Sequence, residues 1–331
     1  MAYPKVLIVT GYFNREWCVK ESMLSLINQT YENIQIIAFD DCSTDNTYPL
    51  LQELNSDKFT ALRLPKNMGF VNGLIFVLNQ HASNYDYIAI HGSGDISLLD
   101  RIAKQVEAFQ HDNSLAIVSC KIANVDQQNA TRKEQSLNEY YTLSEILKKN
   151  PFSHGEVMFK RDLYQKVGGY RSIFHFSQDY DLWLRLLSFG KARVIQQVLY
   201  ERQIQFDGVS YNPKKIVRQE MFAHLAQHLN QLDSKKQQEI VNGMMNGTSI
   251  FEIIDFRLSS IQKNLFIRYN VLIAKNQNVE TRVFIEHSTS LYKIYYRAMH
   301  VVTKIPAFRI LINQAYRIVM KMKVLKRKLY A

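Results

Sequence analysis

Short apolar runs rich in β-branched residues alternate with helically spaced segments along the N-terminal part of the chain. Val6-Leu7-Ile8-Val9 leads into Thr10-Gly11-Tyr12, and residues 19–26 then place apolar side chains at helical spacing. A second run, Ile34-Gln35-Ile36-Ile37-Ala38-Phe39, stops at Asp40-Asp41-Cys42-Ser43-Thr44-Asp45-Asn46-Thr47. That is the pattern of a buried strand whose carboxyl end opens into a polar turn. The pattern next predicts a helix over 47–54, a strand over 60–64, a helix over 71–80 and a strand over 85–90, which ends in His91-Gly92-Ser93-Gly94-Asp95. A helix over 100–110, a strand over 115–123, an irregular polar stretch over 124–150, a short strand over 157–159 and a helix over 180–187 follow. Such alternation predicts an α/β, mostly parallel, doubly wound sheet. Helical patterns dominate from about residue 213, broken by Gly243, Gly247 and Pro306. The expected division is an α/β domain over 1–212 and a helical region over 213–331.

Composition adds to this picture at three points. With 331 residues, 47% apolar and 21% charged, the chain has the make-up of a folded globular protein of two domains. Its three cysteines, Cys18, Cys42 and Cys120, lie far apart without metal-ligand spacing and read as reduced thiols. No apolar run approaches the ~20 residues that cross a bilayer, and the N-terminus enters a strand without a signal-peptide pattern, so a cytoplasmic location is expected. The net charge of +11 is not spread evenly: ten of the 41 basic residues fall in 291–331, beyond the last acidic residue, Glu286, leaving 31 basic against 30 acidic in the rest.

Candidate chemistry sits at strand ends, where open α/β sheets bind ligands. Asp40 and Asp41 offer hydrogen-bond acceptors there, although the same octapeptide is also turn chemistry with Ser43, Thr44 and Asp45 as helix caps. Gly92-Ser93-Gly94-Asp95 follows another strand, and Gln178-Asp179-Tyr180-Asp181-Leu182-Trp183-Leu184-Arg185 opens a helix. In order, these features with Ser25-Leu26-Ile27-Asn28-Gln29-Thr30-Tyr31, Asn67-Met68-Gly69 and Gly168-Gly169-Tyr170-Arg171 resemble the inverting family-2 glycosyltransferases over about residues 5–210.

The resemblance implies a GT-A fold, a doubly wound Rossmann-like mixed sheet with helices on both faces, followed by a mainly helical C-terminal region. It implies a nucleotide-sugar donor, most often a uridine diphosphate sugar. Thr10 and Tyr12 would line the base pocket, Tyr12 with a ring face for stacking, and Asp41 would accept the uracil imide hydrogen. Asn67, Gly69, Ser93, Gly94 and Asp95 would lie along the donor. Asp95 matches the last carboxylate of the family's metal motif, which implies a divalent cation, Mg²⁺ or Mn²⁺. The chain departs from that motif in having Gly92 and Gly94 where the family commonly has Asp. Asp179 matches the general base that would deprotonate the acceptor hydroxyl. His154, Glu156 and Gln178 would lie on the acceptor side. Capping by Gln178 and Asp179, or a structural role for His154, is the plainer reading of those residues. No Gln-x-x-Arg-Trp segment of processive members is present, which implies addition of one residue at a time.

In the basic tail, apolar positions from Pro306 to Tyr330 recur at steps of three or four, predicting an amphipathic helix. Its cations and interleaved aromatics suit an anionic membrane surface contacted through residues 291–331, on the inner face of the cytoplasmic membrane, with a lipid-linked glycan as acceptor. Packing of that helix on the rest of the chain is the alternative. Nucleic-acid binding would use the same charge but lacks a motif, and no nucleic-acid partner is expected. The expected activity is transfer of a sugar to a glycan hydroxyl in bacterial surface polysaccharide synthesis. A nucleotidyltransferase or a non-catalytic scaffold of the same fold are the alternatives.

Overall fold

Four consecutive residues of β1, Val6 to Val9, have no exposed surface, which is what an uninterrupted apolar strand needs when helices cover both faces of its sheet. The computed structural model describes residues 3–126, 131–204, 212–255, 257–274 and 281–302. Two compact units, Met1–Ile204 and Gln205–Ala331, make up the chain, divided ahead of the boundary expected at 212.

In the first unit the elements run β1 (Val6–Tyr12), α1 (Val19–Ile27), β2 (Ile34–Asp40), α2 (Thr47–Gln52), β3 (Phe59–Arg63), α3 (Phe70–His81), β4 (Tyr87–His91), β5 (Ile96–Ser97) and α4 (Arg101–His111). They continue with β6 (Leu115–Asp126), β7 (Thr131–Glu134), β8 (Tyr140–Tyr141), α5 (Leu143–Lys148), β9 (Met158–Lys160), α6 (Arg161–Lys166), α7 (Gln178–Leu186) and β10 (Lys191–Gln203). The sheet order is β3-β2-β1-β4-β9-β6-β10-β5, with β7 on β6 and β8 on β10. Pairing among β3, β2, β1 and β4 is parallel, as is β6 with β10, while β9 is antiparallel to both β4 and β6. The sheet is therefore mixed, as the resemblance implies, rather than mostly parallel as the strand–helix alternation predicts.

Val6, Ile8 and Tyr12 share one face of β1 and pack with Val19, Met23 and Leu26 of α1 and with Ile102, Val106 and Phe109 of α4. Registers set the site: Tyr12 lies beside Asp40, and Thr10 lies between Ala38 and His91. The carboxyl ends of β1, β2 and β4 thus open at one edge.

The second unit is helical in its described residues: α8 (Pro213–Asn230), α9 (Ser234–Met245), α10 (Ile250–Ile253), α11 (Ser259–Ala274), α12 (Thr281–Glu286) and α13 (Ser290–Val302). Tyr269, Phe284 and Tyr296 pack edge to face at its centre, and Arg268 pairs with the buried Glu220 at 2.6 Å. No helix among the described residues is long and apolar enough to cross a membrane. The amphipathic helix expected from Pro306 to Tyr330 lies outside the described residues.

Candidate active site

At the end of β2 the two aspartates do different work. Asp40 is fully buried and accepts the Ser43 amide at 3.1 Å, with the Arg63 Nε at 3.6 Å. Asp41 is 4% exposed and turns the other way, its Oδ1 accepting the Met68 amide at 2.7 Å and its Oδ2 the Gly69 amide at 2.8 Å. One carboxylate thereby fixes the 67–69 turn and the start of α3. Asn67 closes the same turn, its Oδ1 accepting from the Gly69 amide at 3.2 Å. The loop after β1 is laced to the loop after β2: the Asn14 amide donates to Ser43 Oγ at 2.9 Å, and the Thr44 amide to Asn14 Oδ1 at 2.9 Å.

Two residues expected along the base are placed elsewhere. Thr10 has no exposed surface, and Tyr12, at 1%, belongs to the apolar core, so its ring has no free face. The reason is that β1 extends through Tyr12, and strand alternation turns that side chain onto α1. Phe13, the next residue, is 46% exposed beside the Asn14–Thr44 lacing. The sequence reading missed it.

The loop after β4 is held from a distant strand. Asp95 Oδ2 accepts the Tyr200 hydroxyl at 2.7 Å and its Oδ1 the Gln203 amide at 2.9 Å. The Tyr200 hydroxyl also accepts the Gly92 amide at 2.9 Å, and the Gly94 amide donates to Ser22 Oγ at 3.2 Å. Burial pushes the Asp95 carboxyl up to about 6. As a metal ligand Asp95 has little room, because each oxygen already accepts one hydrogen bond and little of the side chain reaches the surface. Among the described residues there is no group of three or more His, Cys, Asp or Glu side chains suited to a metal ion. Ser93 and Gly94 remain at this loop, Ser93 half-buried and Gly94 buried.

Residues 153–156 join this loop to α7. Gly155 packs so closely that a Cβ there would lie 2.1 Å from the Tyr200 hydroxyl and 2.9 Å from the Gly92 amide nitrogen. Arg101 and Gln105, both buried on α4, donate to the carbonyls of Gly155 and Glu156 at 2.7 and 2.8 Å. Glu156, expected to touch a sugar hydroxyl, is fully buried instead, bonded by the Ser153 amide at 2.8 Å and by the Ser153 hydroxyl. Burial raises its carboxyl to about 7. Its role is to close its own loop.

His154 is the hub. Its Nε2 shares a hydrogen with the Tyr170 hydroxyl at 2.7 Å, and its ring stands edge-on to Phe70 at 5.7 Å and Trp183 at 5.9 Å. Burial pushes its pKa down to about 3, so the ring is neutral. Phe70 opens α3 directly after Gly69, and Trp183 lies on α7, so Asp41, the 153–156 loop and α7 are connected through a continuous set of contacts. On α7, Gln178 and Asp179 are half-buried in the first turn, and burial lifts the Asp179 carboxyl to about 6. Asp181, in contrast, is taken by Arg185 at 2.6 Å and Arg171 at 3.3 Å, which leaves Asp179 as the acid of that turn suited to chemistry.

A mixed sheet with acidic loops gathered at one strand edge is the arrangement of GT-A nucleotide-sugar transferases. The family model described as Glycosyl transferase family 2 matches residues 7–168. EpsE of Bacillus subtilis (strain 168), which carries a glycosyltransferase name, is 30% identical over 204 residues, 60% of this chain and 72% of that protein. WbnJ of Escherichia coli, an O-antigen biosynthesis glycosyltransferase, is 31% identical over 170 residues, 50% of this chain and 65% of that protein. Among solved structures, Staphylococcus aureus TarS 1–349 in complex with UDP aligns with a TM-score of 0.56 at 17% identity, over 95% of this chain and 91% of that one. The mannosyltransferase PcManGT of Pyrobaculum calidifontis, in complex with GDP-Man and Mn²⁺, aligns with a TM-score of 0.54 at 18% identity, over 98% and 88%. The chain belongs to glycosyl transferase family 2.

Proposed function

We propose that this chain is an inverting, non-processive transferase that moves a sugar from a nucleoside diphosphate donor, a UDP-sugar, to a hydroxyl of a lipid-linked glycan in bacterial surface polysaccharide synthesis. What carries the reading is the connection of the Asp41-held turn to the Asp179 turn through Phe70, His154 and Trp183. The bound UDP of TarS and the names of EpsE and WbnJ support the donor class and the setting. In this mechanism Asp179 accepts the proton of the acceptor hydroxyl as its oxygen attacks the anomeric carbon. The bond to the diphosphate oxygen breaks on the opposite side, the electron pair leaves with the nucleoside diphosphate, and the configuration inverts. Gln178 would orient the acceptor from the same turn. A panel of nucleotide sugars tests the reading by the product released. UDP release supports it; pyrophosphate release would identify a nucleotidyltransferase, and silence across all donors and acceptors a scaffold.

Phe13 takes the base-stacking role that the buried Tyr12 is unable to fill. Replacing it with Ala is expected to weaken UDP binding ~5–100-fold, the worth of one base on one aromatic ring, with Phe13→Trp restoring it. Isothermal titration reads the change. Unaltered affinity in Phe13→Ala would remove this assignment.

The membrane reading draws on α13. Leu291, Ile294 and Val301 are 82%, 67% and 64% exposed and share a helix face, while Tyr296 packs into the core of its own unit. Arg297 borders that apolar stripe, with Lys293 further round on the same side. An interfacial helix has this make-up, and each cation near an anionic surface contributes ~1 kcal/mol. The chain should co-sediment with phosphatidylglycerol vesicles and not with phosphatidylcholine vesicles. Leu291→Asp with Ile294→Asp should abolish that binding, and binding retained by the pair would refute the helix as the contact.

A further inference from the structure

We propose that the donor's diphosphate is neutralised by the guanidinium of Arg202, without a divalent cation held by the protein. This deepens the nucleotide-sugar reading above and rests on it. The loop after β4 is built in a way that disfavours a hard cation. Mg²⁺ and Mn²⁺ need at least one or two carboxylates with accessible oxygens. Asp95 is 9% exposed, and each of its oxygens already accepts one hydrogen bond, from the Tyr200 hydroxyl and the Gln203 amide, so it has little open face for a hard cation. A Cβ at Gly92 would lie 2.5 Å from Asp95 Oδ2, so the Asp95 carboxylate occupies the space that a side chain at 92 would need. Gly94 sits at φ +90°, a backbone region that L side chains rarely adopt. A side chain at 92 would have to displace the Asp95 carboxylate, and one at 94 would strain the backbone, so neither position readily takes a second carboxylate.

Something else must compensate the charge that develops on the leaving diphosphate. Most arginines named around the site are committed. Arg101 is buried against the carbonyls of Ile90 and Gly155, Arg171 and Arg185 hold Asp181, and Arg63 holds Asp40 and the Ser43 carbonyl. Arg202 differs. It is exposed on β10, directly before the residue whose amide binds Asp95, and its Nε donates to the neutral Asn124 side chain at 2.9 Å. No carboxylate lies within ion-pair distance of it among the described residues. Its charge also favours the ionised forms of Asp95 and Glu156. A guanidinium fork anchored by one neutral acceptor keeps further N–H groups for two phosphate oxygens.

Titration calorimetry on the full chain tests this with UDP, GDP and their nucleosides, in EDTA and in Mn²⁺. UDP affinity should agree within ~3-fold between the two conditions. Arg202→Ala should weaken UDP binding ~10–100-fold, the size of a charge-assisted hydrogen bond, while uridine binding stays as in the parent. Arg202→Lys should recover part of the loss. UDP binding that appears only with Mn²⁺, or an equal loss of UDP and uridine in Arg202→Ala, would overturn the proposal. If no nucleotide or nucleoside binds in either condition, the nucleotide-sugar reading itself fails and this inference with it.

Discussion

Replacing Asp179 with Asn is expected to lower transfer ~10²–10⁴-fold while UDP affinity stays within a few-fold of the parent. Asn preserves the shape and the first-turn position but has no proton affinity in the working range, so only the step that needs a base is lost. The pH profile gives an independent check. With the Asp179 carboxyl lifted to about 6 by burial, kcat/KM of the parent should level off above that pH and fall about tenfold per unit below it. Asp179→Asn should lose that acid limb from its residual activity. Stability should move the other way. A carboxyl whose folded pKa is raised contributes stability that is full below its unfolded value and is lost as pH rises through about 6. At pH 8 the parent therefore carries a charge that its half-buried site disfavours, and Asp179→Asn should be as stable or more so, by on the order of 1–2 kcal/mol. A helix cap with no chemical role would behave otherwise, losing stability and keeping turnover. An Asp179→Asn protein with full transfer activity would eliminate the base assignment.

Elements with an unbroken period were legible from the chain itself. β2, β4 and α4 fall within one or two residues of where their apolar spacing puts them, because each buries one full face or both, and β1 starts where its run starts but continues three residues past Val9. β10 was not legible. Gln196 and Gln197 interrupt its alternation where its pairing with β6 shifts register between Ile195 and Val198, so the period that marks a strand is missing at its middle. β7 is exposed at every position and pairs through its backbone, which leaves no hydrophobic signal. The site divides along the same line. That Asp41, Asp95, His154 and Asp179 stand near strand or helix ends follows from local sequence. Which way each one faces depends on partners far along the chain. Asp95 is claimed by Tyr200, 105 residues later and on the strand the spacing conceals. Glu156 is buried beneath its own loop by Gln105 and Ser153. Whether Tyr12 or Phe13 meets the ligand turns on a single residue of strand length.

Asp41 is the second position where a large effect is expected, and its cause differs from that at Asp179. Each of its oxygens accepts a different backbone amide, Met68 and Gly69, at the point where the 67–69 turn becomes α3. Asp41→Ala strands both donors and should cost roughly 2–4 kcal/mol of local stability, since hydrogen bonds to a charged acceptor are worth more than neutral ones. Asp41→Asn should be nearly as damaging, because its amide can accept one of the two N–H groups but must point an NH₂ at the other. That equivalence separates a bracket for two amides from a carboxylate needed only for its charge. Loosening the turn frees Phe70 from His154, so UDP affinity should fall at least ~10-fold in both variants even though neither removes a stacking ring. Calorimetry with UDP, alongside thermal melts, reads the two effects. If Asp41→Asn melts and binds like the parent, the amide bracket does not hold the donor loop, and Asp41 returns to the role of a direct contact with the base.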